Sequence, residues 1–413
     1  MFFIYNVLYA VVVMVLLLPE YLKRPENLRG RWLREKLGYL PETDSAIWVH
    51  AVSVGEVGAS IRLLQRLRAE FPESPLILST ITDTGQTVAR EKVPEGTKVV
   101  YLPFDLSFVL RRCIGRIRPR IFVVVETELW PNIFRVLSRA GVPVVVVNGR
   151  ISVKSAKGYR RISFFMKKVF SFVRAFGMQG EGDAERLGEI GAPKDKVTVM
   201  GNFKFDMSIS GEVPSWAEML GGPIIVAGST HKGEEEIVLA AYNENRDRFP
   251  GLKLILAPRH PERFGEVEEL LKSGGIAYAR RSSLGELPDG SIRDKKILLL
   301  DTVGELSVVY AIADIAVIGK SFAAAGGQNP LEPAFWGKPI ICGPHMENFP
   351  FIKDFYLAGA AFEVEANALA KKMKELLLAP EKARAAGIKA RELYMKNSGA
   401  VNRAIELIRD FIR

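Results

Sequence analysis

Short runs rich in valine and isoleucine alternate with helical patterns along most of the chain, and this alternation constrains the fold more than any other feature. The runs fall at Ile47–Val52, Leu76–Ile81, Lys98–Leu102, Ile121–Glu126, Val142–Asn148 and Val197–Met200. Strands that are apolar on both faces belong in a parallel sheet with helices over each side. Helical patterns at Val57–Glu70 and Leu106–Ile117 provide such cover. The alternation lapses across Met207–Gly222, where glycine, proline and serine collect. It resumes with Pro223–Ala227, Lys253–Ala257, Lys296–Leu300, Asp314–Ile318 and Pro339–Cys342. Helices are expected between them at Lys232–Arg248, Glu262–Ser273, Ala366–Leu378 and Glu381–Met395. A chain of 413 residues exceeds one ordinary core. The expectation is two doubly wound α/β domains, residues 20–208 and 209–400. Residues 401–413 form a last helix with no strand after it, free to pack back on the first domain.

Residues 1–19 stand apart. Met1–Leu18 is almost wholly apolar, and Pro19 ends the run. Eighteen helical residues span about 27 Å, close to the thickness of a bilayer's hydrocarbon core. No small-residue cleavage site follows, so a membrane anchor is expected rather than a removed signal peptide. Lys23, Arg24, Arg29, Arg31, Arg34 and Lys36 come next, which places the body of the protein on the cytoplasmic side. The two cysteines, Cys113 and Cys342, have neither disulfide nor zinc spacing. A net charge of +10 points to an anionic partner.

Several residues at strand ends, where open α/β sheets bind their ligands, are candidates for chemistry. In Val49–Glu56, VHAVSVGE, Glu56 sits between a strand and a helix, pointing into the cleft of a two-domain fold. There it can take a proton from a hydroxyl, or simply favour the helix N-terminus. In VETELWPN, Glu126 and Glu128 end an apolar strand on one face. They form either a site or an acidic pair bound to neighbouring lysines. Ser229, in GSTHKGE, opens a small-residue loop into a helix. Arg259, held between a strand and prolines, offers a planar fork for phosphate, or a surface ion pair. In Gly319–Pro344, the pair Gly326–Gly327 lets backbone N–H groups approach a phosphate. Asn329, Pro330 and Glu332 follow, and Glu332 either binds ribose hydroxyls or completes a capping box with Asn329.

Residues 129–180 contain no acidic residue but ten basic ones. Within them Tyr159–Val173 mixes Arg160, Arg161, Lys167 and Lys168 with four phenylalanines. A basic amphipathic helix there suits an anionic membrane surface. A core-facing helix with a solvated basic face fits the phenylalanines equally. No nucleic-acid-binding module is evident, so no nucleic-acid partner is expected. The four histidines are scattered, and no Asp-x-Asp occurs, so no catalytic metal is expected.

Taken in order, HAVSVGE, STITDTG, YLPFD, ETELWPN, NGRIS, GNFKFD, GSTHKGEEE, LAPRHPERF, DTVGEL and GGQNPLEPAFWGKPIICGPH resemble one family. It is the 3-deoxy-D-manno-octulosonic acid (Kdo) transferases, which act on the lipid A precursor. The resemblance implies a GT-B fold and metal-independent, inverting transfer from CMP-Kdo at the inner membrane. By the same resemblance Glu56 matches the general base and Glu126 a second carboxylate needed for activity. It sets the donor nucleotide against Ser229, Arg259, Gly327, Asn329 and Glu332. The basic stretch and the N-terminal anchor are expected to hold the lipid acceptor near the cleft. Gln328 departs from the pattern, standing where the family's motif has histidine. The same architecture would also serve a heptosyltransferase, a UDP-sugar epimerase or a non-catalytic, membrane-tethered nucleotide-sugar-binding protein.

Overall fold

The computed structural model describes residues 1–207, 209, 212–218, 220–286, 295–323 and 325–412. Residues 208, 210, 211 and 219 of the glycine-, proline- and serine-rich join, and Arg413 of the last helix, lie outside the described residues. The chain forms two compact units, Met1–Met207 with Asn397–Arg413, and Ser208–Lys396. Each is built on a seven-stranded sheet in which every pairing is parallel.

The first sheet contains β1 (Ala46–His50), β2 (Leu76–Thr80), β3 (Lys98–Tyr101), β4 (Pro119–Val125), β5 (Val144–Gly149), β6 (Ala175–Met178) and β7 (Val197–Val199). Their order is β3-β2-β1-β4-β5-β6-β7, so the winding reverses between β1 and β4. The central strands are buried on both faces because two hydrophobic clusters sandwich them. One cluster includes the C-terminal helix Ala400–Arg409, whose Val401, Ala404, Ile405 and Ile408 pack with Ile47, Val49 and Leu63. Asp206 holds that helix at its start, accepting from the backbone N–H of Gly399 and Val401.

The second sheet contains β8 (Ile224–Thr230), β9 (Lys253–Pro258), β10 (Tyr278–Arg280), β11 (Ile297–Leu299), β12 (Ile315–Ile318), β13 (Ile340–Cys342) and β14 (Ala361–Glu363). Their order is β10-β11-β9-β8-β12-β13-β14, reversing between β8 and β12. Three strands escaped the sequence reading: β6, β10 and β14. Each has only three or four residues, too few to show a period.

The N-terminal helix runs from Phe2 to Leu22 and is long and apolar enough to cross a membrane by length and composition. One face docks on the first unit. Phe2 packs on Phe165 and Phe172, Tyr5 donates to Asp105 at 2.8 Å, and Asn6 bonds to Asn132. Just past the helix's other end, Arg24 lies over the Trp32 ring at 4.2 Å. The opposite face leaves Phe3, Ile4, Val7, Leu8, Val11, Met14, Val15 and Leu18 exposed.

The basic stretch is not one helix, as Tyr159–Val173 had suggested. It breaks at Ile162 into Val153–Arg161 and Ser163–Ser171. Phe165 and Phe172 face the N-terminal helix and Phe170 is buried on Phe176, so these rings are core. Phe164, beside the basic residues, stands 65% exposed.

Candidate active-site residues

In the first unit the glutamates gather where the winding of the sheet reverses. The helix after β1 begins at Val54, so Glu56 lies in its first turn and not in the preceding loop. Its Oε2 accepts from the Val52 N–H at 2.7 Å and its Oε1 from the Ser53 hydroxyl at 3.2 Å. Burial raises its pKa above the usual carboxylate range, and repulsion from Glu126 adds to this, while the bonds to Val52 and Ser53 oppose it.

Glu126 directly follows β4, its N–H bonded to the Val147 carbonyl at 2.9 Å. Its φ of 62° is left-handed, a conformation that costs roughly 1–3 kcal/mol for a residue with a side chain. Asn148, Ser229 and Lys320 share this conformation, each at the C-terminal end of a strand. Ser45 and Arg118, just before β1 and β4, adopt it too, so this conformation is not confined to the edge where such sheets hold ligands. Burial raises the Glu126 pKa, and Lys204 and Arg150 pull it back. Glu128 is pushed up to about 7, first by burial and then by the charges of Glu56 and Glu126. Glu56, Glu126 and Glu128 therefore form one electrostatically coupled group, in which β1 and β4 bring together residues 70 positions apart in the chain. Coupled carboxyls share protons as a set, so one member can be an acid while another is a base. Among the described residues no group of three or more His, Cys, Asp or Glu side chains is arranged to hold a metal ion.

The basic residues stand apart from this group. Arg160 pairs with Glu189, and Lys168 lies over the Phe172 ring at 5.4 Å. Arg161 and Lys167 are exposed on the same stretch. Tyr159, at its start, is within electrostatic reach of Glu128.

In the second unit a cavity of about 320 Å³ opens at the carboxyl ends of the strands. It brings together Ser229 near the end of β8, Arg259 after β9, and Asn329 and Glu332 after β12, with Gln328 beside them. Thr302, Ser307 and Tyr310 also line it; the sequence reading missed them because nothing local marks them. Among the described residues the Arg259 guanidinium makes no ion pair or hydrogen bond, which leaves its fork available. Glu332 is raised by burial, while Asn329 and Arg259 draw it down.

Two expectations for this loop are corrected. The Gly326 N–H bonds the Glu347 carboxylate at 2.8 Å and the Gly327 N–H bonds the Lys320 carbonyl at 2.8 Å, so neither amide is offered to a ligand. The glycines are required for shape: their φ values are 115° and 69°, and a Cβ on Gly327 would lie 2.3 Å from the Met346 sulfur. The capping box is also not formed. Asn329 Oδ1 accepts from the Leu331 N–H, but Glu332 reaches the Asn329 side-chain amide instead of a backbone N–H.

Two buried acids, unrecognised in the sequence, shape this unit's loops. Glu234 accepts from the N–H groups of His231, Lys320, Ser321 and Phe322 at 2.5–2.9 Å, tying the β8 loop to the β12 loop. Glu235 takes both terminal nitrogens of Arg263, at 2.7 and 3.1 Å, and the Thr230 hydroxyl at 2.8 Å. The run Glu234–Glu236 at a helix start was the available signal. His231 and His260, scattered in sequence, meet with ring centroids 5.2 Å apart.

Two doubly wound parallel sheets, one in each unit, are the GT-B architecture. A glycosyltransferase from Rickettsia africae shares the fold, with a TM-score of 0.53 at 15% identity over 89% of this chain and 99% of that one. Residues 31–207 match the family model of 3-deoxy-D-manno-octulosonic-acid transferase (kdotransferase). The 3-deoxy-D-manno-octulosonic acid transferase of Haemophilus influenzae is 35% identical over 375 residues, 89% of this chain and 87% of the relative. The Aquifex aeolicus transferase of the same name is 31% identical, covering 91% and 96%. The chain belongs to the Kdo transferase family.

Proposed function

We propose that this enzyme moves Kdo from CMP-Kdo to a hydroxyl of the lipid A precursor, with inversion and without a metal. The observation that carries the reading is the second unit's cavity, which sets a guanidinium without an ion pair among the described residues near one half-buried carboxylate. CMP has one phosphate and two adjacent ribose hydroxyls. Arg259 matches the first and Glu332 the second.

In this reading Glu56 takes the proton from the acceptor hydroxyl as its oxygen bonds the anomeric carbon of Kdo. The bond from that carbon to the phosphate oxygen breaks, and its electron pair leaves with CMP. Arg259 offsets the charge that develops on the phosphate. The sugar passes through an oxocarbenium-like transition state, as in other glycosyl chemistry. Glu126 and Glu128, coupled to Glu56, set the protonation of the base and orient the acceptor.

The N-terminal helix is tied to the same unit through Tyr5 and Asn6 near one end and is followed by Arg24 on Trp32 at the other. A helix held this way lies in the plane of the bilayer surface, with its exposed apolar face in the lipid. Phe164 and the lysines and arginines beside it suit an anionic surface, consistent with the cytoplasmic face of the inner membrane.

Mass spectrometry of the lipid product after incubation with CMP-Kdo and the lipid A precursor tests donor and acceptor together. An added Kdo mass is expected. CMP should inhibit, whereas ADP and UDP should not; inhibition by UDP alone would point to a different nucleotide-sugar enzyme. Arg259→Ala should keep the fold, since the side chain is exposed, and should weaken CMP binding by about 10–100-fold. Isothermal titration with CMP reads this directly.

A further inference from the structure

Between the N-terminal helix and the body of the first unit lies a cavity of about 260 Å³ that the proposed chemistry does not use. Its walls are apolar, with Val13 and Leu17 on the helix side and Leu102 and Phe104 on the body side. It follows the helix from Tyr9 to Glu20, about 16 Å at the rise of an α-helix. Arg24 and Lys36 complete the lining at the Glu20 end. Val12 and Leu16 line the cavity and are also among the exposed apolar residues of the helix. The cavity is therefore continuous with the face that meets lipid.

Lys36 is the unexplained group. It is 8% exposed, and among the described residues its ammonium has no carboxylate or other acceptor within bonding distance. The Phe104 ring lies 5.5 Å from it. The acids around it are committed elsewhere. Glu20 pairs with Arg24 at 3.0 Å and Glu35 with Arg31 at 2.6 Å. Asp83 contacts Arg24 at 3.3 Å and accepts from the Tyr101 hydroxyl. Burial, with the charge of Arg24, lowers the Lys36 pKa to about 8 against the opposing pull of these acids. An ammonium with Glu20, Glu35 and Asp83 in electrostatic reach but none in ion-pair contact has room for an anionic partner. Two indole N–H groups in the lining residues Trp32 and Trp130 are likewise buried without an acceptor.

We propose that this cavity binds one anionic membrane lipid, with a hydrocarbon chain along the N-terminal helix and the phosphate against Lys36. Apolar walls with a cation at one end are the complement of such an amphiphile. The chain enters sideways from the bilayer past Val12 and Leu16. The proposal rests on the in-plane placement of the helix only for that route of entry.

The test uses the full-length protein in detergent micelles carrying lipids with brominated chains, which quench tryptophan on contact. Trp32 and Trp130 line the cavity, whereas Trp48 is buried in the sheet. Brominated phosphatidylglycerol should quench saturably, at a mole fraction about tenfold lower than brominated phosphatidylcholine, the effect of one charge-assisted bond. Lys36→Met should fold, because an apolar isostere replaces an unpaired charge, and should abolish the difference between the two lipids. Lys36→Arg should keep it. The double variant Trp32→Phe, Trp130→Phe should lose the saturable quenching. Equal quenching by both lipids, or a preference that survives Lys36→Met, overturns the proposal. Flotation with unbrominated vesicles reads membrane association separately, so a failure of the in-plane reading is distinguishable from a failure of the lipid site.

Discussion

Glu56→Gln will retain the fold and lose roughly 10²–10⁴ in turnover, the usual worth of a positioned general base. The amide oxygen of glutamine can still accept from the Val52 N–H, so the helix start keeps its strongest local tie. Only the capacity to take a proton disappears. In the proposed reading the donor is held by residues of the second unit, so its binding should be nearly unchanged and the loss should fall on kcat, leaving the KM for CMP-Kdo in place. The pH profile provides an independent readout. Because burial and Glu126 raise the Glu56 pKa, the base is protonated, and inactive, up to a higher pH than an ordinary glutamate. The acid limb of kcat/KM should therefore lie above the usual value of about 4.3, with activity rising as pH climbs through it. Glu126→Gln removes one repelling neighbour, and the limb of its residual activity should move to lower pH. Wild-type turnover in a folded Glu56→Gln would remove Glu56 from the mechanism.

The second large effect is on stability. Glu234→Ala should destabilise the second unit by about 3–5 kcal/mol, since it leaves several buried backbone N–H groups without an acceptor. Glu234 is fully buried and holds four such groups from two loops. One of those loops carries Ser229 and the other leads into Asn329 and Glu332, so CMP affinity should fall with stability. Differential scanning calorimetry should show a melting shift of roughly 10 °C at this size. Glu234→Gln should be intermediate, because one amide oxygen can serve part of the set. A melting temperature within 2 °C of wild type for Glu234→Ala would show that water can replace the carboxylate.

Much of the candidate site was legible because strand ends are legible. Glu56, Glu126, Ser229 and Arg259 each follow a run whose apolar, β-branched character marks a buried strand. The rule that ligands sit beyond strand C-termini does the rest. The residues that were missed have no such marker. Tyr310, Thr302 and Ser307 reach the cavity because β11 and β12 flank β9 and β8 in the sheet, an order local sequence does not encode. The glycine pair was misread for a related reason. Its flexibility was visible, but one of the partners that occupy its amides, Glu347, comes from the loop after β13, 21 residues away, and the other is the Lys320 carbonyl. The basic stretch was read as one helix because its period carries through Ile162. Packing of Phe165 and Phe172 against Phe2 is a distant contact that the period cannot show.

The amino-acid sequence alone determined that the chain is two doubly wound units, that an apolar helix precedes them, and which family its motifs match. The first two follow from periodicity and composition, which act over ten or twenty residues; the family match rests on the ordered motifs themselves. The tertiary structure decided which charges feel one another. It made three glutamates a coupled group, left Lys36 without an ion-pair contact among the described residues, and committed the Gly326 and Gly327 amides to Glu347 and the Lys320 carbonyl. Protonation and hydrogen bonding depend on distances of a few ångströms and on exclusion of water, and strand order sets both.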